Sequence, residues 1–86
     1  MGTQVNEAVK VGVVFDRGAV RPAWFIWAGR RYAVREVTQR WQTKEGRSPI
    51  LHLGVTDGAN GFELAFNQET LSWSLAAIEV DGCERE

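Results

Sequence analysis

Trp24-Phe25-Ile26-Trp27-Ala28-Gly29-Arg30-Arg31-Tyr32-Ala33-Val34-Arg35-Glu36-Val37 is the stretch that decides the fold. Two runs rich in β-branched and aromatic residues flank a Gly-X pair. That pattern predicts a β-hairpin with a type II′ turn at Gly29-Arg30, because the first turn position needs positive φ. In that register Trp27 opposes Tyr32, Phe25 opposes Val34 and Trp24 opposes Arg35. Side chains alternate faces along a strand. One face then carries Phe25, Trp27, Tyr32 and Val34, a core face. The other carries Trp24, Ile26, Ala33 and Arg35. Strict alternation would put Glu36 on the core face, so either it is partly buried with an arginine partner or, as the cost of an unpaired buried carboxylate favours, a bulge turns it outward and Val37 inward.

The rest of the chain reads as strands and turns. Thr3 to Glu7 is polar and is expected to fray. Val9, Val11, Val13 and Phe15 alternate with Lys10 and Gly12, a strand with one buried side. Asp16-Arg17-Gly18 is turn chemistry, and Pro22 belongs at a bulge or an edge. Residues 38–49 are polar and aperiodic past Trp41, the pattern of a long loop. Leu51, Leu53 and Val55 mark a strand that leaves His52 on the solvent side. Asp57-Gly58 and Asn60-Gly61 are turn dipeptides. Phe62, Leu64 and Phe66 mark the next strand, and Leu71, Trp73, Leu75 and Ala77 the last. Alternation slips at Ala76-Ala77-Ile78, where a short helical turn is the alternative. The tail from Asp81 to Glu86 is expected to be disordered.

Six short strands without an amphipathic helix predict an all-β fold: one small antiparallel meander coiled into a barrel or roll of SH3-like size. The 86 residues form one domain, with an ordered core over about residues 9–80. Four tryptophans in so short a chain must supply much of that core. The single cysteine, Cys83, excludes an intramolecular disulfide. With no basic leader or long apolar run, the expected location is the cytoplasm, and no membrane is expected as a partner.

Net charge is −1 but unevenly spread. Residues 17–47 hold eight Lys/Arg against two Glu, +6, and residues 48–86 hold one Arg against seven acids, −6. Oppositely charged strands could pair across a sheet, or a basic face could meet an acidic partner. Catalytic and metal-binding signals are thin. One histidine and one cysteine lack ligand spacing. A Ser–His–Asp site would have to be built on His52 with Ser72 or Ser74. Asp57 to Gly61 resembles half a calcium loop without its remaining oxygens. No enzyme activity, cofactor or metal is expected.

From Gly18 to Val37 the chain carries Gly18, Pro22, Phe25, Trp27, Gly29, Arg30, Tyr32, Val34 and Val37, followed by Trp41, Phe62, Leu64, Trp73 and Leu75. This pattern resembles a group of small bacterial proteins of unknown function that share a Pro-x-x-Phe-x-Trp-x-Gly-Arg-x-Tyr-x-Val core. The resemblance implies a compact β domain and brings no activity or site residues with it.

The functional constellation expected from the sequence is Trp24, Ile26, Arg35, Arg40 and Trp41. Large apolar groups on the face away from the core are covered by a partner, by another copy, or by each other as a second small core. Trp and Arg are typical anchors of protein interfaces. The same residue types stack on unpaired bases and hold phosphate. The reading is a non-enzymatic protein-interaction or accessory module, engaging a protein partner or itself. The alternative is a single-stranded nucleic-acid binder using these side chains and the 38–49 segment.

Overall fold

The computed structural model describes residues 2–80, and within them strands and tight turns follow one another from end to end. The strands are β1 (Gly2–Ala8), β2 (Lys10–Asp16), β3 (Ala19–Trp27), β4 (Arg30–Ala33), β5 (Glu36–Glu45), β6 (Ser48–Thr56), β7 (Asn60–Asn67) and β8 (Ser72–Val80). They form two antiparallel sheets, one in the order β1-β8-β7-β6-β5 and one in the order β2-β3-β4. The all-β expectation holds, with eight strands in place of six and two packed sheets in place of a closed barrel. The expected disorder of the tail and the position of Cys83 lie outside the described residues.

Turns set the smaller sheet. Arg17-Gly18 and Ala28-Gly29 each place two consecutive residues at positive φ, 55° and 79° in the first pair and 53° and 78° in the second. That is the type I′ backbone, whose twist suits the flanking strands. The central turn is therefore Ala28-Gly29, not the expected Gly29-Arg30. Ala28, with its small side chain, accepts the left-handed conformation. Trp27 pairs with Arg30, Phe25 with Tyr32 and Trp24 with Ala33. This is a displacement of two residues from the expected register. Because side chains alternate with period two, it leaves each one on its expected face. The Gly-X turn expected there occurs instead at Gly46-Arg47, where Gly46 has φ 64° and Glu45 pairs with Ser48.

The hairpin ends at Ala33 rather than near Val37. The Val34 N–H donates to Ala23 O in the smaller sheet (2.9 Å), and the Arg35 N–H donates to Thr56 O in the larger one (2.8 Å). The chain changes sheets at this corner. The corner resets the alternation, so Glu36 is exposed and Val37 packs on the core, as expected, and the register shift of β5 falls just after them, between Val37 and Gln39.

Residues 38–49 are not a loop. They are most of β5, the turn, and the start of β6. β5 shows no hydrophobic period because it is an edge strand whose side chains, Val37 apart, are exposed; ladder pairing with β6 holds it. Thr3–Glu7 is likewise not frayed. It lies in β1, paired to β8 from Gly2↔Glu79 to Ala8↔Ser74, with a register shift between Gln4 and Glu7. The strand reading at Ala76–Ile78 holds over its helical-turn alternative, and the slip there is a bulge inside β8: Leu75 pairs with Leu64 but Ala77 with Glu63. The extra residue, Ala76, lets Leu75 and Ile78 both face the core. Leu71, expected in that strand, lies in the preceding turn at φ 62° and is 69% exposed.

The core lies between the sheets. Phe25 from β3 meets Leu53, Val55, Phe62, Leu64 and Leu75 from the larger sheet. The Phe25 ring stacks on Tyr32 at 5.0 Å and meets the Phe62 edge at 5.1 Å. The Trp27 Nε1–H donates to Glu7 Oε1 at 2.8 Å, tying the sheets together at the side of the core.

Candidate functional site

Pairing fixes which side chains share the outer face of the smaller sheet. Gly12 pairs with Trp24, Lys10 with Ile26 and Val14 with Arg21. Across β3, Ile26 pairs with Arg31 and Trp24 with Ala33. Trp24, Ile26 and Val14 therefore lie together on the side away from Phe25, with Lys10, Arg21 and Arg31 among them. The expectation that Trp24 and Ile26 share an outward face holds despite the changed register.

Trp24 lies flat. A Cβ built at Gly12 would come within 2.5 Å of Cε2, Nε1 and Cζ2 of the indole, so the ring occupies the space a side chain would take. Glycine in a strand interior often marks such a close approach. The Arg31 guanidinium covers the ring's other side, 5.1 Å from its centroid, in cation–π range. Neighbouring Val14 is 40% exposed. Beyond it the β2–β3 hairpin overhangs the core, so Phe15, expected on the buried side, is 76% exposed.

The other three residues of the expected constellation stand elsewhere. Arg35 lies across the Asp57-Gly58 turn, where a Cβ at Gly58 would come within 2.9 Å of its Cδ. Arg40, on β5, donates from Nη1 to Val20 O at 2.9 Å and so braces the overhanging hairpin. Trp41 stacks on His52, its pairing partner in β6, at 5.1 Å and 4° between planes. Trp24 and Trp41 thus have different partners on different sheets.

His52 is on the outer face of the larger sheet, as its strand phase predicts, but its side chain is only 16% exposed. Nε2 shares a hydrogen bond with Thr43 Oγ1 (2.7 Å) and Nδ1 with Glu63 Oε2 (3.1 Å). Neither serine considered with it from the sequence is its partner. A hydroxyl, an imidazole and a carboxylate in this order can hand a proton along the chain. They also fix the imidazole in place beneath Trp41. The sequence signal for the group was cross-strand placement, which required β5 to be read as a strand.

The Asp57–Asn60 turn is closed by its own aspartate. Asp57 Oδ1 accepts from the N–H groups of Ala59 (2.9 Å) and Asn60 (2.8 Å). Partial desolvation pushes the Asp57 carboxyl up. The N–H groups of Asn60, Ala59 and Asp57 itself outweigh it and hold the carboxyl below its ordinary value of 3.8. The half calcium loop is thus an Asx-type turn. Among the described residues, no group of three or more His, Cys, Asp or Glu side chains is placed to hold a metal ion. Nor is any helix there long and apolar enough to cross a membrane.

Fold and surface define a class: a small two-sheet β domain that carries an aromatic and cationic face on its smaller sheet. The chain belongs to the DUF6504 family, a domain of unknown function, whose family model matches residues 1–52. That span contains the whole of the smaller sheet, β1, β5 and the first half of β6. No curated protein and no solved structure matches the chain.

Proposed function

We propose that the domain is a non-enzymatic, cytoplasmic protein-interaction module whose contact surface is the outer face of β2–β3–β4. One observation carries this reading. Gly12 gives up its side chain so that Trp24 can lie flat on the solvent side of the sheet. The result is an indole pressed on the sheet and capped by the Arg31 guanidinium, next to Ile26 and Val14. A flat Trp with an adjoining Arg is the composition of an interface anchor.

A second reading, single-stranded nucleic acid, is favoured by the Arg31–Trp24 stack and by the cationic segment 17–47. A photo-crosslinking amino acid in place of Ile26, together with oligonucleotide titrations followed by tryptophan fluorescence, separates the two. The protein reading expects protein adducts at position 26 and no quenching at low ionic strength. Quenching that falls with salt at a log–log slope near −0.7 per phosphate contact overturns it in favour of nucleic acid.

A further inference from the structure

The two sheets have four edge strands among the described residues, and three carry devices that discourage further pairing. β1 is broken by a register shift, with Asn6 at φ 54°. β4 is four residues long and begins Arg30-Arg31. β5 carries Glu36, Arg40, Lys44 and Glu45. β2 differs. Between Lys10 and Asp16 it reads Val-Gly-Val-Val-Phe, with no charge and no proline.

Hairpin geometry says which of its backbone groups are free beyond Val9, whose own N–H, on the edge away from β3, donates to Trp73 O of β8 (3.2 Å). Asp16 and Ala19 close a two-residue loop and so exchange hydrogen bonds. Alternation along β2 then turns the N–H and C=O groups of Val14 and Gly12 toward β3, and those of Phe15, Val13 and Val11 away from it. Pro22, which has no N–H to give, stands opposite Val13, where the ladder with β3 needs none.

We propose that β2 pairs with β2 of a second copy of the chain, antiparallel about a two-fold axis at Val13. In this register Val13 meets Val13 of the other copy, and Val11 meets Phe15. Every such pair presents outward backbone groups on both sides, so each exchanges two hydrogen bonds. Lys10 falls opposite Asp16, and Asp16 opposite Lys10, two symmetry-related ion pairs at the ends of the joined strands. Shifting the axis by one residue in either direction keeps the ladder but loses both ion pairs. Phe15, 76% exposed, packs beside Val11 of the other copy, and Val14 beside the Trp24 ring that covers Gly12 there. The two smaller sheets become one continuous sheet. This inference rests on the reading of the smaller sheet as the interacting element, and uses its edge rather than its face.

The contact is small, so the dimer is a weak one, and the assay is sedimentation velocity from about 10 μM to about 1 mM. The wild type is expected to shift from monomer to dimer across that range. Lys10→Asp alone and Asp16→Lys alone each set like charges opposite and should weaken the dimer about tenfold or more. The Lys10→Asp/Asp16→Lys double variant restores the pairing and the dimer, and mixing the two single variants gives a heterodimer. Val13→Pro removes an outward N–H without touching the β2–β3 ladder and should leave a folded monomer. A wild type that stays monomeric throughout overturns the proposal. So does a dimer indifferent to these charge reversals. Crosslinking of position 26 to another protein would stand in either case, so loss of the dimer and loss of the interaction-module reading are separately visible.

Discussion

Gly12→Ala is expected to destabilise this protein, although a strand glycine replaced by alanine ordinarily gains about 0.5–1 kcal/mol. The backbone at Gly12 is not in the left-handed region, so alanine is conformationally acceptable there. What opposes it is Trp24. The added Cβ would sit within 2.5 Å of three indole atoms. Carbon atoms in ordinary contact are about 3.5–4.0 Å apart, so the ring must lift by roughly 1 Å or swing away. An indole buries about 200 Å²; if about a third of that rests on the Gly12 backbone, its exposure costs about 2 kcal/mol at 25 cal/mol/Å². Losing the Arg31 stack adds about 0.5–1 kcal/mol. After the alanine gain, the net loss is about 1.5–2.5 kcal/mol. Urea unfolding followed by circular dichroism measures it, and a double-mutant cycle isolates the cause. In a Trp24→Ala background there is no ring to displace, and Gly12→Ala should become neutral or stabilising. If Gly12→Ala has the same sign and size with and without the indole, the account of the outer face fails.

Phe25→Ala should cost about 3–5 kcal/mol in the same melts, because Phe25 is fully buried between the sheets, while Trp24→Ala costs much less in the monomer; the reverse order would mean the wrong tryptophan–phenylalanine phase. Ala28→Gly should stabilise by about 0.5–1 kcal/mol by relieving a left-handed alanine, and Gly29→Val should destabilise by more than about 1 kcal/mol. Equal melting of these two turn variants would contradict the type I′ geometry. The Asp57 carboxyl is held below 3.8 when folded, so its contribution to stability is complete above that pH and is lost as pH falls toward and through its folded value. Asp57→Asn should flatten the acid limb of the stability–pH curve, and an unchanged limb would show that the turn hydrogen bonds do not favour the charged form.

The faces of the central hairpin were legible in the sequence because they depend only on parity. Trp24 and Phe25 part to opposite sides in any register displaced by an even number. The turn itself was less legible: both Gly-X and X-Gly close two-residue hairpins in primed turns that match the strand twist equally well. β5 was invisible to periodicity because neither of its faces is buried for most of its length. β1 was hidden similarly, since of Thr3 to Glu7 only Val5 packs on the core. The phase slip at Ile78 was a true signal, of a bulge rather than a helical turn. Of the candidate surface, Trp24 and Ile26 could be grouped from alternation alone. Arg31 replaces Arg35 beside them because the pairing moved by two residues. The Thr43–His52–Glu63 group depends on residues 38–45 pairing as a strand, which their missing hydrophobic period does not signal.

The pairing of Gly2 with Glu79 bears on the order in which this chain can acquire its structure. Apart from Phe25 and Pro22, the largest fully buried side chains, Leu53, Leu64, Leu75 and Val55, all come after residue 52. During synthesis from the N-terminus, the β2–β3 and β3–β4 hairpins leave the ribosome before the surface that covers them exists. β1 waits until β8, the last of the described strands, has emerged. Contacts this distant in sequence make for slow closure. Through that interval the Val-Gly-Val-Val-Phe strand is available to any passing edge, which makes the nascent chain, more than the finished domain, the state in which misassembly is decided.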